Sequence, residues 1–190
     1  MIPINAIYVG FQGEGMTVGL PTIFVRVAGC NFFEDDPSHP CIWCDSPYSW
    51  RKSDAKLEFK SVDSLLAAVT AVSAATGVRS VCVTGGEPLS LPESEEMVER
   101  IGRRFETVVE TNGSLPIWVA KNSWSLDMKC PSSGNDSRNN YDNLKILGMK
   151  DQVKFVIQDE EDFKFAKKVY DNRVVLTNVF FQPAWKTLII

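Results

Sequence analysis

The sequence contains no run of about 18 apolar residues of the kind needed to cross a bilayer. Its opening stretch, MIPINAIYVGFQGEG, has no basic segment leading into an apolar one. Both absences predict a cytoplasmic chain with no membrane-spanning part. A basic excess is also missing: 20 Lys and Arg against 24 Asp and Glu leave a formal charge of −4, which argues against nucleic acid as a partner. Histidine occurs once, at His39. No internal repeat, low-complexity tract or long linker divides the 190 residues. They read as one domain, 1–190, long enough to bury a core without disulfides. Five cysteines are an odd number for a disulfide framework, and in a reducing compartment clustered cysteines more often bind metal.

Three of those cysteines are clustered. Cys30, Cys41 and Cys44 follow the apolar segment TIFVRVAG, and the last two form a C-x-x-C with Trp43 before the final thiol. Three thiolates can hold three irons of a four-iron, four-sulfur cluster and leave the fourth iron open to a small molecule. A closed zinc site of Cys30, His39, Cys41 and Cys44 draws on the same segment, and spacing alone leaves both open. Cys82 sits inside the strand-like VCVT, where it reads as a small core hydrophobe. Cys130 begins a loop with no cysteine near it in sequence.

The rest of the chain alternates strand and helix. Strand character recurs at 22–27, 79–84, 107–111, 124–128, 152–157 and 173–181, in β-branched or aromatic segments bounded by turn residues. Helical spacing predicts helices over 61–75, with Ser61 as N-cap and Val62, Leu65, Leu66, Val69 and Val72 on one face, then over 94–105 and 160–170. The segments EDDPSHP and SSGNDSRNN read as surface loops. Such alternation predicts parallel β/α units, closed or partly closed into a barrel, with ligands at the carboxyl ends of the strands.

Unusual residues fall at those ends: Cys30, then Thr84-Gly85-Gly86-Glu87-Pro88, Glu110-Thr111-Asn112-Gly113, Asp127-Met128-Lys129 and Gln182-Pro183. Any one Gly-Gly or Asn-Gly is an ordinary turn; five polar strand ends together point to a site. A Gly-Gly pair lets backbone approach an amino-acid-like cofactor closely, and Asp127 and Lys129 can address its charged groups. Trp43 can pack on a planar base or simply belong to the core.

The run C-N-x(9)-C-x-W-C followed by TGGEP resembles the radical S-adenosylmethionine superfamily. FQGEGMTVGLPTIFVRVAGC, CDSPYSW, TGGEP, ETNG, DMKCPSSG and FFQPAW, in that order, resemble the 7-carboxy-7-deazaguanine synthase family over nearly the whole chain. The resemblance implies a partial (β/α)6 barrel and a 4Fe-4S cluster on Cys30, Cys41 and Cys44 with S-adenosyl-L-methionine on its open iron. It implies a radical ring contraction of 6-carboxy-5,6,7,8-tetrahydropterin to 7-carboxy-7-deazaguanine, with loss of ammonia, in 7-deazapurine (queuosine) biosynthesis. It places Phe11, Gln12, Gly13, Arg26 and Thr84 on the pterin. Trp43, Gly86, Asp127, Met128, Lys129, Gln182 and Pro183 fall to S-adenosylmethionine, and Ser46 to Mg2+. It further implies an external electron donor such as flavodoxin or ferredoxin, and a homodimer.

The chain departs from the family at two places. The superfamily has a shorter interval between the first two cysteines than the ten residues found here, so His39 is expected on the surface of an insertion. The chain also stops at TLII, where relatives continue with a further helix and strand. Either the barrel is minimal and a partner subunit covers its edge, or the sequence is truncated. Two other readings share parts of this pattern: a glycyl-radical activase, and a zinc-stabilised binding module without catalysis.

Overall fold

A computed structural model describes residues 1–172 and 177–184. Six strands run parallel in one sheet: β2 (Pro21–Val27), β4 (Ser80–Gly85), β5 (Glu106–Thr111), β6 (Ser123–Met128), β7 (Gln152–Ile157) and β8 (Asn178–Pro183). Two antiparallel strands, β1 (Ile2–Phe11) and β3 (Leu57–Phe59), extend its edge to give the order β3-β1-β2-β4-β5-β6-β7-β8. The curled sheet stays open between β3 and β8, which makes the partial barrel expected from the sequence.

β1 was not expected as a strand. It pairs with β2 from Ile4↔Val27 to Phe11↔Pro21, with a bulge between Ile4 and Ala6. A bulge frees one residue from the ladder. Here Asn5 turns its amide onto the carbonyls of Tyr48 (2.9 Å) and Asp54 (3.0 Å), tying the segment after the cysteines to the sheet.

The helices lie where spacing put them. α2 (Val62–Thr76) starts at Ser61, whose hydroxyl accepts from the Ser64 amide (3.3 Å), and ends at Gly77, whose φ of +75° suits a residue without Cβ. It buries Val62, Leu65, Leu66 and Val69 against the sheet, while Val72 is only partly covered. α3 (Ser94–Gly102) is shorter than expected and α4 (Glu160–Asn172) slightly longer. β8 begins at Asn178, and residues 173–176 of the expected strand lie outside the described ones.

Only three of the five parallel crossovers use an α-helix. Residues 112–122 link β5 to β6 without one, and short 3-10 turns link β6 to β7. Here Trp124 covers the sheet instead: its ring meets Trp118 edge-on at 5.0 Å, and its indole donates to the Trp118 carbonyl (2.9 Å). The amide of Asn143 supports the same irregular backbone, donating to the carbonyls of Gly113 and Leu115 and accepting from the Ile117 amide. A buried loop needs such partners because its backbone has no ladder.

Candidate active site

Along each parallel strand, alternate residues face opposite sides. The outward set, including Val25, Val83, Val109, Leu126 and Phe155, packs in the core. The inward set is polar: Arg26, Thr84, Glu110, Ser125, Asp127, Lys154 and Gln182 line one cavity of about 430 Å3 at the carboxyl ends of the strands. Cys30, Cys41 and Cys44 line the same cavity, and none of the chain's five cysteines is in a disulfide.

The cysteine loop is closed at its base. The Gly29 amide donates to the Ser49 carbonyl (2.9 Å) and the Cys30 amide to the Trp50 carbonyl (2.8 Å), so the insertion between is a closed excursion. It carries the short helix α1 (Asn31–Asp35), anchored by the buried Phe32. Gly86 backs onto this base: a Cβ there would overlap the Gly29 carbonyl, and the next amide, of Glu87, donates to that carbonyl (2.8 Å). The glycine is thus needed to seat the loop as well as to line the cavity. Glu87 is fully buried behind the lining, where its carboxylate accepts from the Leu89 and Asn112 amides and the Thr111 hydroxyl, holding the ETNG turn in place.

His39 stands apart. Its side chain is 72% exposed and its Nδ1 lies 2.7 Å from Asp36, and it does not line the cavity. The closed zinc site therefore lacks its imidazole. Among the described residues no three metal-binding side chains converge on a single ion. A four-iron cluster has no such requirement, because each thiolate binds a different iron. Burial raises the Cys30 thiol to about 11 and raises Cys41 as well. Loading with metal therefore displaces protons. Cys82 and Cys130 are both buried; Cys82 lies beneath the cavity, its sulfur accepting from the Gln12 amide (3.6 Å), and Cys130 packs in the core.

Charges inside the cavity are paired tightly. Lys129 donates to Asp127 Oδ2 (2.8 Å) and sits over the Trp43 ring (5.1 Å). Lys154 pairs with Glu14 and lies 3.9 Å from Asp127. Burial by itself would raise the Asp127 pKa, but the two ammonium groups outweigh it and hold the carboxyl below the ordinary carboxylate value. Asp127 Oδ1 is buried with no hydrogen-bond partner among the described residues, an acceptor left unused by the protein. Arg26 differs from both lysines: its guanidinium donates to Ser46 (3.1 Å) and the Tyr8 hydroxyl (3.3 Å) and lies over the Tyr48 ring, with no carboxylate partner among the described residues. Ser46 also donates to Asp45 (2.9 Å), giving two neighbouring oxygens that suit a hard cation.

Most sequence-predicted residues converge here: Gln12, Gly13, Arg26, Ser46, Trp43, Thr84, Gly86, Asp127, Lys129, Gln182 and Pro183 all line the cavity. Two side chains do not. Phe11 is 75% exposed at the end of β1 and does not line it, and Met128 points outward into the core, leaving only its backbone near the site. Their strands explain this, because Gln12 and Asp127 take the inward positions next to them. Sequence reading passed over Glu14, Asp45, Lys154 and the side chain of Glu110 as cavity residues. For Lys154 the available signal was a polar residue at alternate positions of an otherwise apolar strand, Gln152 and Lys154 in QVKFVI.

An open β/α barrel with three unpaired cysteines on one loop at its polar mouth defines a class, that of enzymes holding an iron–sulfur cluster for chemistry at an open iron. The Radical SAM superfamily model matches residues 25–122. A 7-carboxy-7-deazaguanine synthase from Methanospirillum hungatei is 35% identical over 188 residues, covering 97% of this chain and 73% of that protein. One from Koribacter versatilis is 34% identical, covering 96% and 78%. The crystal structure of QueE from Escherichia coli shares the fold with a TM-score of 0.74 at 20% identity, covering 98% of this chain and 85% of that one. The chain belongs to the 7-carboxy-7-deazaguanine synthase family of the radical S-adenosylmethionine superfamily. Its cofactors are accordingly a 4Fe-4S cluster and S-adenosylmethionine.

Proposed function

We propose that this single-domain protein is itself a 7-carboxy-7-deazaguanine synthase. It would convert 6-carboxy-5,6,7,8-tetrahydropterin to 7-carboxy-7-deazaguanine with release of ammonia, on the route to queuosine and related 7-deazapurines. The observation that carries this is Arg26, a guanidinium without a carboxylate partner that faces the cavity shared by the three cysteines. A substrate carboxylate would supply the missing counter-charge through two parallel N–H bonds.

The remaining roles follow from position. Cys30, Cys41 and Cys44 would hold the cluster, which with bound S-adenosylmethionine supplies a hydrogen-abstracting carbon radical. The free Oδ1 of Asp127, the Lys129 ammonium, the backbone at Gly86 and Met128, and Trp43, Gln182 and Pro183 would bind the sulfonium cofactor. Gln12, Gly13, Arg26 and Thr84 would orient the pterin, with Glu14 and Glu110 accepting its ring N–H groups. The backbone of Phe11 would contribute at the rim, since its side chain turns to solvent. Ser46, with Asp45 beside it, would hold Mg2+ on its hydroxyl and carboxylate oxygens. The aromatic walls of Phe24, Phe32 and Trp50 would keep water from the reacting carbon.

The protein would work in the cytoplasm, as five cysteines outside any disulfide suit a reducing compartment. A one-electron donor such as flavodoxin or ferredoxin would supply it, and it would pair as a homodimer. The test is anaerobic reconstitution with iron and sulfide, followed by dithionite, S-adenosylmethionine, Mg2+ and the tetrahydropterin, with products read by mass. Formation of 7-carboxy-7-deazaguanine is expected. Release of 5′-deoxyadenosine without it would reject the substrate while keeping the superfamily chemistry.

A further inference from the structure

Trp50 touches both ends of the cysteine loop. Its carbonyl accepts from the Cys30 amide (2.8 Å), and its indole Nε1–H donates to Cys44 Sγ at 3.2 Å. Two other side-chain amides reach a cysteine sulfur, Asn135 at 3.9 Å from Cys41 and Gln12 at 3.6 Å from Cys82. Trp50 is therefore the shortest side-chain donor to a cysteine of the loop among the described residues. The Ser46 amide adds a second, weaker contact to Cys44 at 3.4 Å. The indole is fixed where it stands. Its ring stacks on Phe33 at 5.2 Å and 17°, and the Arg51 guanidinium caps Phe33 at 4.6 Å. Bound to iron, Cys44 is a thiolate, which is a better acceptor than a thiol.

We propose that Trp50 tunes the reduction potential of the cluster, its indole N–H drawing charge from the Cys44 thiolate and so favouring the reduced state. One-electron reduction adds negative charge to the cluster and its sulfur ligands, and hydrogen bonds to those sulfurs are among the features that set the potential. An indole N–H is a donor only and cannot reverse the effect by accepting. The inference rests on the cluster assignment and adds to it a positioning residue that acts on the cluster through Cys44.

The test is a redox titration of the reconstituted holoenzyme without substrate, followed by electron paramagnetic resonance of the reduced cluster. Trp50→Phe keeps a ring against Phe33 and removes the N–H. It is expected to bind the same iron and sulfide as the parent while shifting the reduction equilibrium about tenfold toward the oxidised state, about 59 mV for one electron. Phe33→Leu keeps the N–H and loses the stack, and is expected to shift the equilibrium much less. If Trp50→Phe does not fold, benzothienylalanine at position 50 replaces the N–H by sulfur in the same shape and carries the same expectation. In the parent, an exchangeable deuteron coupled to the reduced cluster more strongly than the Ser46 amide should appear in deuterium oxide; it should be lost in Trp50→Phe and in the benzothienylalanine variant and kept in Phe33→Leu. An unchanged potential in a fully loaded variant would overturn the proposal, as would the absence of that coupling. Failure of the parent to assemble any cluster would instead remove the assignment beneath it, so the two failures are distinguishable.

Discussion

On β6, Trp124, Leu126 and Met128 face outward into a dry core, while Ser125 and Asp127 face the cavity from the same six-residue strand. On β7, Val153 and Phe155 contrast in the same way with Lys154. The outer face gains stability by removing apolar surface from water. The inner face gains no such term: burying Asp127, Lys129 and Lys154 costs desolvation, which their mutual attraction must offset before the charges can stay in place. The two faces of the sheet thus do different work, with the outer one holding the fold while the inner one leaves polar groups short of a partner among the described residues, Asp127 Oδ1 without a hydrogen bond and the Arg26 guanidinium without a carboxylate.

Four substitutions would break or sharpen this contrast. The largest effect is expected from Asp127→Asn, which removes the carboxylate partner of Lys129 and leaves Lys154 with Glu14 alone. Urea unfolding of the cluster-free protein should show a loss of about 3–5 kcal/mol. The pH dependence follows from the lowered Asp127 pKa. Its contribution is complete above the ordinary value of 3.8 and is lost as pH falls through the still lower folded value. The parent should therefore lose stability more steeply than the variant on acidification below pH 3.8. Identical slopes would show that the carboxylate is not held by the lysines.

On the opposite face, Leu126→Ala should cost about 2–5 kcal/mol by opening a cavity in the core. Iron binding per folded molecule should stay intact, and a parallel loss of iron would mean that the two faces are not separable. Arg26→Ala tests the inner face without touching the core. A fall in kcat/KM for the tetrahydropterin equivalent to about 2 kcal/mol is expected, with the cluster spectrum preserved. Loss of iron would place Arg26 with the cluster and not with substrate. The smallest effect is expected at Phe11, where replacement by Ser should change stability by no more than about 0.5 kcal/mol because the side chain already stands in water. A large drop in substrate use would show that its ring, and not only its backbone, serves the site.

The helices and parallel strands were legible because each combines a clear period with capping or turn residues, as Ser61 and Gly77 do for α2. β1 was missed because its bulge at Asn5 and its Pro3 and Gly10 blur the two-residue alternation. The cysteines and the Gly-Gly turn could be picked out because their chemistry is uncommon in those positions, and Arg26 because the family resemblance places it on the substrate. Glu14 could not be, since a charged residue in a turn is ordinarily solvated, and the lone lysine of β7 did not show what it would meet. What makes them cavity residues is that they close on each other across 140 positions of sequence.

Taken alone, the sequence determined the alternation of strands and helices, the three thiols on one loop, and the family, because these rest on local spacing and residue type. Only the tertiary structure decided which side chains meet. It turned Phe11 to solvent and Met128 to the core. It brought Lys154 to Glu14 and Asp127, and placed the Trp50 indole on Cys44. The physical reason is that curling the sheet gathers the inward residues of separate strands around one cavity, and no local pattern encodes which of those distant residues become neighbours.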